Sequence, residues 1–213
     1  MYEFWCMALA SFAIGYLCGS FLTAEVVSRR FGKKSAFEVG LGNPGMANMG
    51  SVYGVRAAAI TLAGDLVKVI VAFLIARTIF ASQADLAGLY ACVGATFGHV
   101  FPAWHRFRGG KGVATTGAAI VLTSPVLGGV ALIAGLLVVL FGGYLCLGAI
   151  AIPAIWLVLQ LVWGDLPHVI AGLALLGVAL FCHLGPALDI RTGKTKKASL
   201  SEKFLAKLSK RKD

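Results

Sequence analysis

Residues 55–80 read VRAAAITLAGDLVKVIVAFLIARTIF. Arg56 and Arg77 lie near its ends, and Asp65 and Lys68 lie inside it. The run exceeds the roughly 20 residues that carry an α-helix across a hydrocarbon core. A helix satisfies its own backbone N–H and C=O groups, which lipid requires. Ionisable side chains at that depth are costly and face a partner or a polar cavity. The i, i+3 spacing of Asp65 and Lys68 puts them on one helix face. Two readings stay open here: an ion pair with each other, or the lining of a polar site.

Outward from this run the chain repeats the pattern. Further apolar segments cover about 4–27, 86–103, 113–123, 126–141, 142–163 and 168–184, making seven in all. Two of them are short for a full crossing and are expected to tilt or to lean on protein. Over the 213 residues, 59% are apolar and 13% are charged, with a mean hydropathy of +0.86. Soluble domains carry about 25% charged residues, so a soluble fold is excluded, and so is disorder. The apolar runs are long and unbroken, unlike the short alternating strands of a β-barrel. The expected fold is all-α: a polytopic membrane domain over residues 1–190 with about seven spans, followed by a basic tail over 191–213. The first apolar run lacks a basic leader and does not read as a cleaved signal. No internal repeat with matched broken helices is visible.

Charge sets the expected orientation. Arg29, Arg30, Lys33 and Lys34 lie between the first two spans, Arg106, Arg108 and Lys111 follow the third, and nine of the 19 basic residues lie between Arg191 and Lys212. The turns near Asp85, Pro125 and Asp165 carry no Lys or Arg. The positive-inside rule then puts the N-terminus outside and the C-terminus in the cytoplasm. A basic tail suits anionic lipid headgroups. Without a helix-turn-helix or zinc-finger pattern, no nucleic-acid partner is expected. Trp5, Trp104, Tyr144, Trp156 and Trp163 mostly fall near span ends, as interfacial aromatics do.

Chemistry concentrates in two glycine-rich loops on the basic side. One reads Gly40-Leu41-Gly42-Asn43-Pro44-Gly45-Met46-Ala47-Asn48. The other runs from Gly98-His99-Val100-Phe101-Pro102 to Phe107-Arg108-Gly109-Gly110-Lys111-Gly112-Val113-Ala114-Thr115. Glycines let backbone N–H groups converge on an anion, and Lys111 sits where a loop becomes a helix. The Walker A spacing is absent. The pattern suits a phosphate cradle, or else plain turns with a cationic rim. His99 suits a general base, a phosphate ligand or a structural group. His183, closing the last span, is a second candidate ligand. Two histidines on different spans make no metal site. The five cysteines form no C-x-x-C pair and read as small buried apolar groups.

Gly15–Ser20, the Gly40–Asn48 loop, Asp65-Leu66-Val67-Lys68 and Gly98–Thr115 occur in one order. In this they resemble the bacterial acyl-phosphate:glycerol-3-phosphate acyltransferase family, the integral-membrane type called PlsY. The resemblance covers roughly residues 15–150. It implies a bacterial inner-membrane enzyme with its active site facing the cytoplasm. Such an enzyme moves a fatty acyl group from acyl phosphate to the 1-hydroxyl of glycerol 3-phosphate, giving lysophosphatidic acid for phospholipid synthesis, without cofactor or metal. By position, Gly42, Asn43, Gly45 and Asn48 match the first phosphate loop. His99, Gly109, Gly110, Lys111 and Gly112 match the second, with Lys111 the main cation. His183 matches the histidine that meets the acceptor, and Asp65 and Lys68 are grouped with the substrate-binding set.

The chain also departs from the family pattern. Leu41, Ala47 and Ser51 stand where the family has serine, threonine and arginine. Phe37-Glu38-Val39 replaces its Asp-x-Arg, Cys146 and Ala149 replace serines, and Pro186 replaces an asparagine. The H-x-x-x-x-D pair of other glycerolipid acyltransferases is absent. These departures keep two alternatives in view: a paralogue using another acceptor, or a non-catalytic phosphate- or lipid-binding protein. The intramembrane Asp65 and Lys68 keep a third, an anion transporter.

Overall fold

The computed structural model describes residues 2–195 and 197–198. The basic tail expected over 191–213 therefore falls mostly outside the described residues. Among those described there is no strand. The chain forms two compact units, 1–123 and 124–213.

The first unit contains α1 (Tyr2–Gly19), α2 (Thr23–Gly32), α3 (Met46–Tyr53), α4 (Val55–Ile79), α5 (Ala84–Val100) and α6 (Val113–Thr123). Its hub is α5, in which twelve of 17 residues are buried. Small residues explain how a helix so enclosed is packed. A Cβ at Gly15 or Gly19 of α1 would fall on the carbonyl of Ala91 or Ala95, and one at Gly94 or Gly98 of α5 would fall on that of Phe12 or Tyr16. The two backbones touch, in the manner of small-xxx-small helix pairs in membranes, where close van der Waals approach replaces the hydrophobic effect as the driving force.

The second unit contains α7 (Pro125–Gly142), α8 (Leu145–Trp163) and α9 (Leu166–Leu188). Gly143 at φ +84° turns α7 into α8, and Gly148 admits Val139 against its backbone. Ser124 Oγ accepts from Trp156 Nε1 at 2.7 Å and Gln160 Nε2 at 2.9 Å, which satisfies two buried donors. Asp165 caps α9 by accepting from the His168 N–H at 3.0 Å.

Among the described residues, six helices are long and apolar enough to cross a membrane. The expected segment at 113–123 is an eleven-residue helix. At 1.5 Å per residue it rises about 16 Å, short of a hydrocarbon core of about 30 Å. The first span also differs from expectation. It is not one helix, because Ser20-Phe21-Leu22 interrupts it between α1 and α2. The polar stretch after it is partly helical, since α2 continues to Gly32 and α3 precedes α4. Ala24, Val27, Met49 and Ala57 give these short helices an apolar core of their own.

Adding a methyl at the seam tests this packing. Gly94→Ala should lower stability in detergent by about 1–3 kcal/mol. Gly129→Ala should be neutral, because no atom lies within 4 Å of its added Cβ. Equal melting temperatures for Gly94→Ala and the parent would contradict the backbone contact.

Candidate functional site

The first glycine loop is held from beneath. Glu25 of α2 accepts from Ser35 Oγ at 2.9 Å and from the Ala36 N–H at 2.8 Å, and its other oxygen pairs with Arg29 at 2.6 Å. Ala36 is thereby seated against Ala24, Val27, Met49 and Ala57. Beyond it, Gly42 takes φ +64°, a conformation open to glycine at little cost. Asn48 closes the loop: its Oδ1 accepts from the Leu41 N–H at 2.9 Å and its Nδ2 donates to the Val39 carbonyl at 3.0 Å. The side-chain amide of Asn48 thus serves the loop itself. Ser51 Oγ donates to the Asn48 carbonyl at 2.8 Å, and Leu41 is 89% exposed.

The second loop folds back on the end of α5. The Pro102 carbonyl accepts from the N–H groups of His105 and Phe107, at 3.1 and 3.0 Å, and the Gly110 N–H donates to the His99 carbonyl at 3.0 Å. Glycine is required at 109 and 110 by proximity. A Cβ at Gly109 would strike the His99 carbonyl, and one at Gly110 would strike His99 Nε2 and lie 2.9 Å from the Pro44 carbonyl. The first loop therefore meets the second beside the imidazole. The Phe37 and His105 rings, 5.6 Å apart, make another contact between the two stretches. Lys111 is exposed, one residue before Gly112, whose carbonyl accepts from the Thr116 N–H at 2.8 Å as α6 begins.

Below the loops lies a buried cluster. Lys68 Nζ is 2.9 Å from Asp65 Oδ1, 2.6 Å from His99 Nδ1 and 3.0 Å from the Phe21 carbonyl. Asp65, Lys68 and His99 are exposed by only 2, 6 and 3%. The Phe21 carbonyl belongs to the break between α1 and α2. The neighbouring Ser20 carbonyl accepts from Trp104 Nε1 at 3.0 Å, and Tyr16 Oη donates to the Phe101 carbonyl at 2.7 Å.

The structure thus brings together His99, Gly109, Gly110 and the Gly42–Gly45 turn, with Asp65 and Lys68 packed beneath. Of the two readings of Asp65 and Lys68, the ion pair is what the geometry shows, extended to His99. His183 is buried in the second unit, as are Cys146 and Ala149; the Pro186 carbonyl there accepts from Thr195 Oγ1 at 2.6 Å. Among the described residues, no three His, Cys, Asp or Glu side chains are placed to hold a metal ion. Sequence reasoning missed the helix break at 20–22, the anchoring by Glu25 and the Pro44 carbonyl. Only the pairing of Gly15/Gly19 with Gly94/Gly98 spacing signals where α1 and α5 meet.

Comparison with known proteins places the chain in a family. Residues 9–191 match the family described as Glycerol-3-phosphate acyltransferase. Glycerol-3-phosphate acyltransferase 1 of Lactobacillus acidophilus is 44% identical over 108 residues, 51% of this chain; the match spans about half of that relative, 52%. Glycerol-3-phosphate acyltransferase of Pseudomonas syringae pv. syringae is 35% identical over 192 residues, 90% of this chain and 96% of the relative. Among solved structures, the glycerol 3-phosphate form of PlsY, an integral membrane glycerol 3-phosphate acyltransferase, has the same fold. It superposes with a TM-score of 0.79 at 23% identity, covering 92% of this chain and 97% of that one.

If Asn48 organises the loop, Asn48→Asp separates its two bonds, because a carboxylate still accepts from Leu41 but cannot donate to Val39. Asn48→Ala loses both and should cost about 1–3 kcal/mol. Faster amide hydrogen exchange over 40–45, graded from parent to Asp to Ala, is the expected outcome. Unchanged exchange in the Ala variant would contradict this role.

Proposed function

The chain belongs to the glycerol-3-phosphate acyltransferase family, and on that premise we propose that it acylates the 1-hydroxyl of glycerol 3-phosphate from an acyl phosphate. The hydroxyl oxygen bonds the acyl carbon and the acyl carbon–phosphate oxygen bond breaks. Lysophosphatidic acid forms, and the hydroxyl proton is released with inorganic phosphate. An acyl phosphate is a mixed anhydride with a good leaving group, so no covalent acyl-protein step is needed. What the protein must supply is alignment of two substrates and stabilisation of phosphate charge.

The single observation that carries this reading is the meeting of two glycine loops beside His99, where Gly110 admits both the imidazole and the Pro44 carbonyl. We assign the phosphate contacts to the main-chain N–H groups of Asn43 on one side and of Gly109 and Gly112 on the other; Gly42, Gly45 and Gly110, whose N–H groups donate to the Val39, Asn43 and His99 carbonyls, shape the two loops around them. Lys111 supplies mobile positive charge and His99 supplies a ring nitrogen. Asn48 acts by holding its loop, and Asp65 and Lys68 act from below. His183 is assigned to the acceptor by position in the sequence. The loops and the basic tail are assigned to the cytoplasmic face of a bacterial inner membrane, with the N-terminus outside, so that the short α6 completes a seventh crossing with protein rather than lipid around its ends. This follows from the basic residues at 29–34, 106–111 and 191–212.

A second reading keeps the site and changes the acceptor. It is favoured by Ser51, whose short side chain is committed to the Asn48 carbonyl, and by the apolar Leu41 and Ala47. An anion transporter has less support, since Asp65 and Lys68 pair with each other.

Purified protein given palmitoyl phosphate should release phosphate only when glycerol 3-phosphate is present, with lysophosphatidic acid as the lipid product. Phosphate release with other polyols but not with glycerol 3-phosphate would establish the second reading instead. Lys111→Ala should reduce kcat/KM by about 100-fold and leave the melting temperature unchanged. Full activity in that variant would remove Lys111 from the site.

A further inference from the structure

We propose that Lys68 is a positioning residue: it fixes the His99 imidazole as a neutral ring whose Nε2–H is aimed across Gly110 at a phosphate oxygen. This rests on the proposed acyl transfer for its purpose, though not for its geometry. An ammonium has three hydrogens and no acceptor. Lys68 donates to the Phe21 carbonyl at 3.0 Å and engages His99 Nδ1 at 2.6 Å, and its charge is paired with Asp65 Oδ1 at 2.9 Å. The cation has no lone pair to offer, so Nδ1 must supply its own to receive a hydrogen. The proton of the neutral ring therefore resides on Nε2. The alternative, a proton on Nδ1, would face the ammonium at 2.6 Å. Asp65 Oδ1, 3.6 Å away, lies beyond hydrogen-bond range of it. Which imidazole nitrogen is protonated is set by the bond the other one makes.

The consequence is directional. Nε2 is the edge turned to Gly110, where even a methyl group would collide with it. A fixed N–H at that point donates to an anionic oxygen and cannot accept a proton from the attacking hydroxyl. Of the three roles open to His99 from sequence, this geometry selects the phosphate ligand. It also gives the break in the first helix a purpose. An intact helix would bury the Phe21 carbonyl in its own ladder, and Lys68 would lose its main-chain acceptor. Asp65 pairs with Lys68 at 2.9 Å, and the Phe21 carbonyl fixes where the Lys68 nitrogen sits.

The test reads the tautomer directly. Nitrogen-15 NMR of histidine-labelled protein in detergent, assigned with His99→Gln, should show Nε2 protonated and Nδ1 unprotonated. In the double variant Asp65→Asn/Lys68→Met, which leaves no stranded buried charge, the signals should shift to a mixture of tautomers. The kcat of that variant should fall about 10- to 100-fold, more than KM for glycerol 3-phosphate changes. A parent ring protonated on Nδ1 would overturn the proposal without any variant. So would a double variant that keeps both the parent tautomer and the parent kcat. A parent with the expected tautomer but no acyl transfer would uphold the positioning by Lys68 and refute the proposed function, so the two failures are distinguishable.

Discussion

A cation inside a membrane-embedded helix persists only when its hydrogens find acceptors, because neither lipid nor bulk water supplies them there. Lys68 meets that requirement with one imidazole and one main-chain carbonyl, and its charge is balanced by one carboxylate. The three partners come from three places: the end of α5, the gap between α1 and α2, and α4 itself. One ammonium group therefore ties together the elements that frame the two loops. Replacing a buried charge's partner leaves the charge uncompensated, which is costlier than losing an ordinary hydrogen bond. The cluster is in that sense all-or-none.

That cluster depends in turn on how close two helix backbones come. Gly15 and Gly19 of α1 lie on carbonyls of α5, and Gly94 and Gly98 of α5 lie on carbonyls of α1. The residues next to the last glycine of each helix are Ser20 and His99. Backbone contact at the seam places the non-helical turn after Ser20 beside the imidazole, within reach of Lys68. The freed carbonyls at the break are used rather than wasted: Ser20 serves Trp104 and Phe21 serves Lys68. Polar backbone exposed at membrane depth is tolerated when protein groups satisfy it in this way.

The two glycine loops tolerate departures from the family pattern for a related reason. Main-chain N–H groups can hold an anion whatever the neighbouring side chains are. The first loop keeps its shape through Asn48 and Glu25, neither of which is among the altered positions. Leu41 points to the exterior and contributes only its N–H to the loop's bonding. The departures thus leave the loop's own hydrogen bonds in place.

The all-helical membrane class, the places where the polypeptide turns and the two glycine-rich stretches were legible in the sequence. Each follows from local composition: apolar runs long enough to cross lipid, glycine where Cβ cannot fit, and basic residues gathered between particular spans. The pairing of Asp65 with Lys68 was legible as one of two options, since helical spacing makes them neighbours. Their joint engagement with His99, 31 positions beyond Lys68, was not legible. Neither was the break at 20–22, which lies in a continuous apolar run and exists because its carbonyls have partners on other helices. Asn48 matched a substrate-binding pattern in sequence, and the fold turned its amide onto its own loop. Sequence alone determined that the chain is built of apolar helices suited to a membrane, because hydration and backbone hydrogen bonding act residue by residue. Tertiary structure alone decided which polar atoms meet, because a buried donor takes whatever acceptor the packing of distant helices brings within 3 Å.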